Sequence, residues 1–174
     1  MRNSENWKLK IVNWEFIKGF TLIELIMVMA LIGIMARIFI VTFPASQRRA
    51  RDTQRKSNLK QFQTALEVFA NNYNGFYPVQ ASQVRADTTL CTTAPPGGLG
   101  FAAGGCQADP KDGTTVCSGG STCRYYYRSN AAGAQYVLWG ALEQPKAPAS
   151  AFFVVCSNGK SGEGTAPSSS ACPI

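Results

Sequence analysis

Three kinds of hydrophobic patterning follow one another along this chain. The first is an apolar run over residues 20–36 in which Glu24 is the one charge. As a helix it would span about 25 Å, a little short of a bilayer's ~30 Å hydrocarbon core. Extension to Phe43 gives about 36 Å and takes in Arg37, which can snorkel to an interface. The second is a helical stripe. Leu59, Phe62, Leu66, Phe69 and Tyr73 recur at intervals of 3, 4, 3 and 4, which is one face of a helix. Gly75 fits a C-terminal cap and Pro78 blocks continuation. Between the two, Pro44 predicts a kink or restart, and Gly33 is a second weak point. The third is a set of short strands. CRYYYRS (123–129) and AQYVLWGALE (134–143) flank the turn signal NAAG, and AFFVVCS (151–157) is a third, apolar strand. Three antiparallel strands packed on one long helix predict a small α+β unit. Tyr125, Tyr127, Tyr136, Trp139 and Phe153 are read as core and cross-strand pairs, not as a ligand box.

Residues 75–122 carry no such pattern. They are rich in Gly and Pro, as in TTAPPGGLGFAAGGC, and an irregular stretch of that length needs support. The cysteines supply it. All six, Cys91, Cys106, Cys117, Cys123, Cys156 and Cys172, lie after residue 90, and none forms a CxxC pair of the kind that holds zinc. An even count behind an apolar N-terminal run predicts disulfides in an extracytoplasmic domain. Of the many possible connectivities, nearest-neighbour pairing is the expectation: Cys91–Cys106, Cys117–Cys123 and Cys156–Cys172, the last closing the tail into a loop.

Charge changes the picture in one place. The formal net charge of +7 is not spread evenly. Arg48, Arg49, Arg51, Arg55, Lys56 and Lys60 crowd one segment against a single acid, Asp52, whereas six basic and six acidic residues balance from residue 61 onward. The cluster has no apolar stripe and reads as a solvated collar, facing anionic lipid headgroups or neighbouring subunits. No aromatic residues interleave with it to stack bases, so nucleic acid is not an expected partner. No enzyme is expected either. The chain has no histidine, the commonest general base. Gly159-Lys160-Ser161 lacks the spaced upstream glycine of a phosphate loop.

Glu24 remains to be explained. At the centre of a membrane helix an unpaired acid costs roughly 2.5–3.5 kcal/mol. A secretory signal peptide would not carry it, and Met35-Ala36 is a poor cleavage site for one. The residues KGFTLIEL, from Lys18 to Leu25, resemble instead the processing junction of type IV pilins and type II secretion pseudopilins. The resemblance implies cleavage by a prepilin peptidase between Gly19 and Phe20, N-methylation of the new Phe20 amine, and Glu24 as the fifth mature residue. It gives the acid a partner. In a bundle of staggered helices, the Glu24 carboxylate of one subunit can meet the Phe20 amine of the next and fix the register. The head resembles the major pseudopilin of type II secretion. NGFYP (74–78) matches the stretch that ends the helix there. DPKDG (109–113) matches a DP that opens the first strand, and SNGKSGEG (157–164) lies where that family has a glycine-rich, often calcium-binding loop. Asn158 and Glu163 are the weak calcium candidates. One acid beside Lys160 is a thin donor set for an ion that wants several oxygens, so no cofactor is expected.

The resemblance implies six segments: a cleaved cytoplasmic leader (1–19), a membrane-spanning and filament-core helix (20–43), an amphipathic helix (44–74), an irregular Cys/Gly-rich loop (75–122), an antiparallel sheet (123–157) and a C-terminal loop (158–174). It implies a pilin-like structural subunit that polymerises through its N-terminal helix, as a surface pilus or a secretion pseudopilus. A non-polymerising, membrane-anchored binding domain is the other class. Expected partners are copies of the chain and other pilin-like subunits, the peptidase, a membrane platform protein, membrane lipid, and an assembly ATPase acting indirectly. The expected location is the bacterial cytoplasmic membrane, crossed once with the N-terminus inside and the head outside. The basic flank after the run opposes that orientation on the positive-inside count, but the cysteines and the peptidase junction both require it.

Overall fold

In the computed structural model, which describes residues 19–91, 99, 106–147 and 151–174, one long helix and one sheet carry the architecture. Helix α1 spans Leu22–Asn72 with Pro44 inside it, so the restart expected at 44 does not occur. Proline removes one backbone donor and crowds one turn, a local loss that the rest of a helix of 51 residues absorbs. The chain divides into two compact units, the first ending at Thr42 and the second comprising Phe43–Ile174. The leader and most of the Gly/Pro-rich stretch between Cys91 and Cys106 lie outside the described residues.

In the first unit none of the described side chains of α1 is buried. Its described large apolar side chains are all open, from Val28 at 46% exposed to Phe20 at 83%. By length and composition this helix could cross a membrane.

In the second unit α1 presents one buried face, and that face starts earlier than the apolar stripe. Asp52, Arg55 and Asn58 precede Leu59, Phe62, Leu66, Phe69 and Ala70 along it. Tyr73 falls beyond the helix end and is exposed, stacked on Phe69 with ring centroids 4.2 Å apart. The end itself is a left-handed cap. Asn74 and Gly75 both have positive φ, and the Gly75 N–H donates to the Ala70 carbonyl at 2.8 Å. Asn74 therefore takes the left-handed C′ position that glycine usually fills, one residue before the glycine expected there.

The sheet is an antiparallel meander of five strands in sequence order, not three. Its strands are β1 (Val84–Arg85), β2 (Tyr125–Ser129), β3 (Tyr136–Ala141), β4 (Phe152–Cys156) and β5 (Ser161–Gly164). The two unexpected strands sit at the edges. β1 is two residues long, below any periodicity, and lies in the stretch expected to be irregular. It leads into a single helical turn, α2 (Ala86–Thr89). β5 reads SGEG, a turn-like composition in the segment expected to be loop, and is held by pairing with β4 from Phe152↔Gly164 to Val155↔Ser161. DPKDG opens no strand: residues 110–113 form a turn that ends with Gly113 at φ 77°.

Alternation decides the two faces. Tyr125, Tyr127, Tyr136, Leu138 and Val155 pack on Leu59, Phe62 and Leu66 of α1, with Ala86 and Leu90 beside them. Gly140 has no room for a side chain between the sheet and α1. A Cβ there would lie 2.9 Å from Tyr125 Cδ1 and 3.3 Å from Leu59 Cδ1. Gly133 in the β2–β3 turn combines φ 68° with a would-be Cβ 2.7 Å from the Tyr77 carbonyl oxygen, so only glycine fits. The buried tyrosines keep their hydroxyls satisfied. Tyr125 Oη accepts from Asn58 Nδ2, Tyr127 Oη donates to the Pro78 carbonyl, and Tyr136 Oη donates to Glu67. On the opposite face, Val137, Trp139, Val154 and Cys156 pack with Cys172 and Ile174 of the tail, so β3 is buried on both sides.

Candidate functional site

Two constellations carry chemistry, one at the start of α1 and one where its basic segment meets the head. The first is the start of α1. Thr21 precedes the helix, and its Oγ1 accepts a hydrogen bond from the Glu24 N–H at 3.3 Å. Thr21 is therefore the N-cap and Glu24 the third helical residue, where the positive end of the helix dipole favours an acid. Thr-x-x-Glu ahead of an apolar run is a helix-start signature, and it gives Glu24 a local role beside any intermolecular one. Gly19 and Phe20 lie just before this cap. A side chain added at Gly19 would meet no atom within 4 Å, and Phe20 is 83% exposed. Glu24 has no side-chain partner among the described residues and is itself exposed.

The second constellation ties the basic segment of α1 to the head. Arg55 is fully buried and makes three ion pairs. Its Nε and Nη2 grip Asp109 at 2.7 and 2.9 Å, and its Nη1 reaches Asp52 at 2.8 Å and Glu143 at 2.9 Å. Arg51 holds Glu143 from the other side through a two-bond fork at 2.7 and 2.6 Å. Asp52 also accepts the N–H groups of Glu143 and Gln144, each at 2.8 Å, which clamps the chain just after β3 to the helix. Lys56 pairs with Glu163 of β5 at 2.8 Å. The expectation of a solvated collar thus fails for Arg51, Arg55 and Lys56. Apart from Asp52, three residues from Arg55 on the same helix, their partners stand 54 to 107 residues away, so most of the local excess of base over acid is cancelled by the fold. Arg48, Arg49 and Lys60 stay exposed.

The electrostatics follow from these contacts. The Arg51 fork, helped by Arg55, holds the Glu143 carboxyl down at about 2 against the opposing effect of burial. Burial alone would lower the Arg55 pKa, but Asp109, Asp52 and Glu143 outweigh it and the net shift is upward. Burial likewise pushes the Glu163 carboxyl up, and the bonds from Lys56 and from the Lys146 N–H reverse that. Those bonds also bear on the calcium candidates. Glu163 Oε1 takes Lys56, Oε2 takes the Lys146 N–H, and Asn158 Oδ1 takes the Lys160 N–H. Each of these oxygens already has a protein donor, and one of the donors is a lysine ammonium.

The cysteines are joined as Cys91–Cys106, Cys117–Cys123 and Cys156–Cys172. The last bond fastens the tail over Trp139 on the outer face of the sheet.

Sequence reasoning missed the Arg55 cluster and the Thr21 cap. The first had only Asp52, three residues before Arg55, as a local signal, since Asp109 and Glu143 come from distant segments; the second had one in the T-x-x-E spacing.

Comparison with known proteins bears on the first constellation. Residues 17–36 match the prokaryotic N-terminal methylation motif. The chain is 48% identical over 52 residues to the type IV major pilin protein PilA of Myxococcus xanthus, an overlap of 30% of this chain and 24% of that protein. The matched stretch thus spans about a quarter of that relative's length. No solved structure matches the chain. The chain is thus similar to type IV pilins over the methylation motif and over the 52 matched residues, and its layout of one long N-terminal helix and an antiparallel sheet is pilin-like.

Proposed function

We propose that the chain is the structural subunit of a type IV filament, processed between Gly19 and Phe20 and polymerised through the first half of α1. The observation that carries this reading is the placement of the motif. The junction stands at the start of a helix whose apolar side chains find no partner within the chain, and Glu24 is open in its first turn. Cleavage and methylation would leave a cationic Phe20 amine. The Glu24 carboxylate of a neighbouring subunit would neutralise it in an apolar bundle, where an unmatched charge is costly. Before assembly the subunit would cross the cytoplasmic membrane once, leader inside and disulfide-bonded head outside. The peptidase, a platform protein and an ATPase acting indirectly would serve it in this scheme.

Of the two filament types, an extended surface pilus is favoured over a secretion pseudopilus. The relative it matches is a major pilin, and the loop at 158–164 has its candidate oxygens occupied rather than free for calcium. The test is mass spectrometry of the mature protein. It should begin at Phe20 and carry one added methyl on the amine. Glu24→Ala should be processed and inserted normally yet yield few filaments. A mature chain that retains Met1, or normal filament yield from the variant, would sink the reading.

A further inference from the structure

The acids and bases of the head are not evenly matched. From residue 43 onward there are 12 Lys and Arg residues and 7 Asp and Glu. Each of those seven acids is already bonded within its own head. Asp52, Asp109 and Glu143 hold Arg55, and Glu163 holds Lys56. Asp87 and Asp112 hold Arg85, and Glu67 accepts from Tyr77 and Tyr136. The side chains of Arg48 and Lys111, by contrast, have no bonded partner among the described residues.

These two unpaired cations line the same cleft. It has a volume of about 410 Å³ and is walled by Arg48, Arg51, Lys111, Val116 and Glu143. Its one acid, Glu143, is already shared between Arg51 and Arg55. The lining therefore carries three cations against one committed carboxylate. At ~30 Å³ per water the cleft has room for roughly a dozen, which is ample for a phosphodiester headgroup. Val116, 56% exposed, gives it an apolar rim. Its place along the helix matters as well. Arg48 and Arg51 follow the exposed Phe43 by only about 7.5 and 12 Å of helical rise.

We infer that this cleft binds the phosphate headgroup of an anionic phospholipid, with Arg48 and Lys111 as the ligating cations. A second copy of the head is the poorer occupant, because each of its seven Asp and Glu side chains is already bonded within its own head. The inference rests on reading the apolar half of α1 as a membrane span, and its test keeps the two apart. A carbonate wash of membranes holding the full chain comes first. A chain that washes off overturns the membrane reading and with it this ligand. If the chain is integral, it is purified in neutral detergent and titrated by native mass spectrometry with phosphatidylglycerol, phosphatidylcholine and inorganic phosphate. One phosphatidylglycerol per chain should be retained in preference to phosphatidylcholine. Arg48→Ala/Lys111→Ala should weaken that binding about tenfold or more. Arg49→Ala/Lys60→Ala, which removes the same charge outside the cleft, should change it less than about threefold. Equal losses in the two double variants overturn the site. So does equal retention of the two lipids, or inorganic phosphate competing at the lipid's own concentration.

Discussion

The two halves of α1 treat charge in opposite ways. Up to Thr42 the helix carries Glu24 and Arg37, both exposed and neither with a side-chain partner among the described residues. From Asp52 onward it buries Arg55 completely and surrounds it with three carboxylates of the same chain. One half is complete in a single subunit. The other leaves its acid and its apolar surface to whatever surrounds it. A charge satisfied within the chain serves the stability of the head, whereas a charge left open at a helix start is available to another molecule.

Removing Arg55 should have the largest effect on that contrast. Arg55→Ala would leave Asp109, whose side chain is fully buried, with no cation and only the Lys111 N–H, and would take one partner each from Asp52 and Glu143. Breaking a buried ion pair from one side costs about 3–5 kcal/mol. The urea midpoint of the full chain in neutral detergent should fall accordingly. Arg37→Ala, in the other half, should leave the midpoint where it was. An Arg55→Ala midpoint unchanged from the parent would mean the cluster is not holding helix to head.

Acid titrates the same cluster. Glu143 has its folded pKa depressed to about 2 from an ordinary 4.5, so its contribution is fully present above 4.5 and is lost as the pH falls toward 2. A shift of that size corresponds to about 3 kcal/mol at most. Head stability measured by urea unfolding should therefore decline steeply from pH 5 to pH 2. Glu143→Gln should flatten that slope while lowering stability at pH 7. A parent profile no steeper than the variant's would contradict the Glu143 assignment.

The contrast between the halves also governs how much could be read in the chain beforehand. The apolar run, the stripe from Leu59 to Phe69 and the three central strands are written in local periodicity, because burial there selects apolar side chains at fixed intervals. The Arg55 cluster is not. It occupies the same helical face, but its partners are Asp109 in a turn and Glu143 just past β3, so a charge run that looks solvated locally is neutralised at long range. β1 and β5 escaped for a related reason: two residues, and a Ser/Gly-rich four, carry no pattern apart from the neighbour they pair with. The motif matched at residues 17–36 is likewise local, since Gly19, Phe20 and Glu24 lie within six consecutive positions. Their significance is a matter of order along the chain, not of folding.

The smallest expected effect concerns the open half alone. The Thr21 hydroxyl accepts a hydrogen bond from the Glu24 N–H, one of the first-turn donors that no helical carbonyl can reach. Thr21→Val keeps the shape and removes that acceptor, at a cost of about 1 kcal/mol, felt only in the first turn. Amide exchange at Glu24, followed by NMR of the full chain in micelles, should accelerate roughly fivefold, as such a loss implies. The urea midpoint of the head should not move. Thr21→Ser, which restores an acceptor, should return the exchange rate to that of the parent. If exchange at Glu24 stays slow in Thr21→Val, the turn is held by something other than its cap. If the head midpoint falls instead, the two halves of α1 are energetically coupled. Either result would redraw the line between the part of this helix that the chain satisfies by itself and the part that it leaves to others.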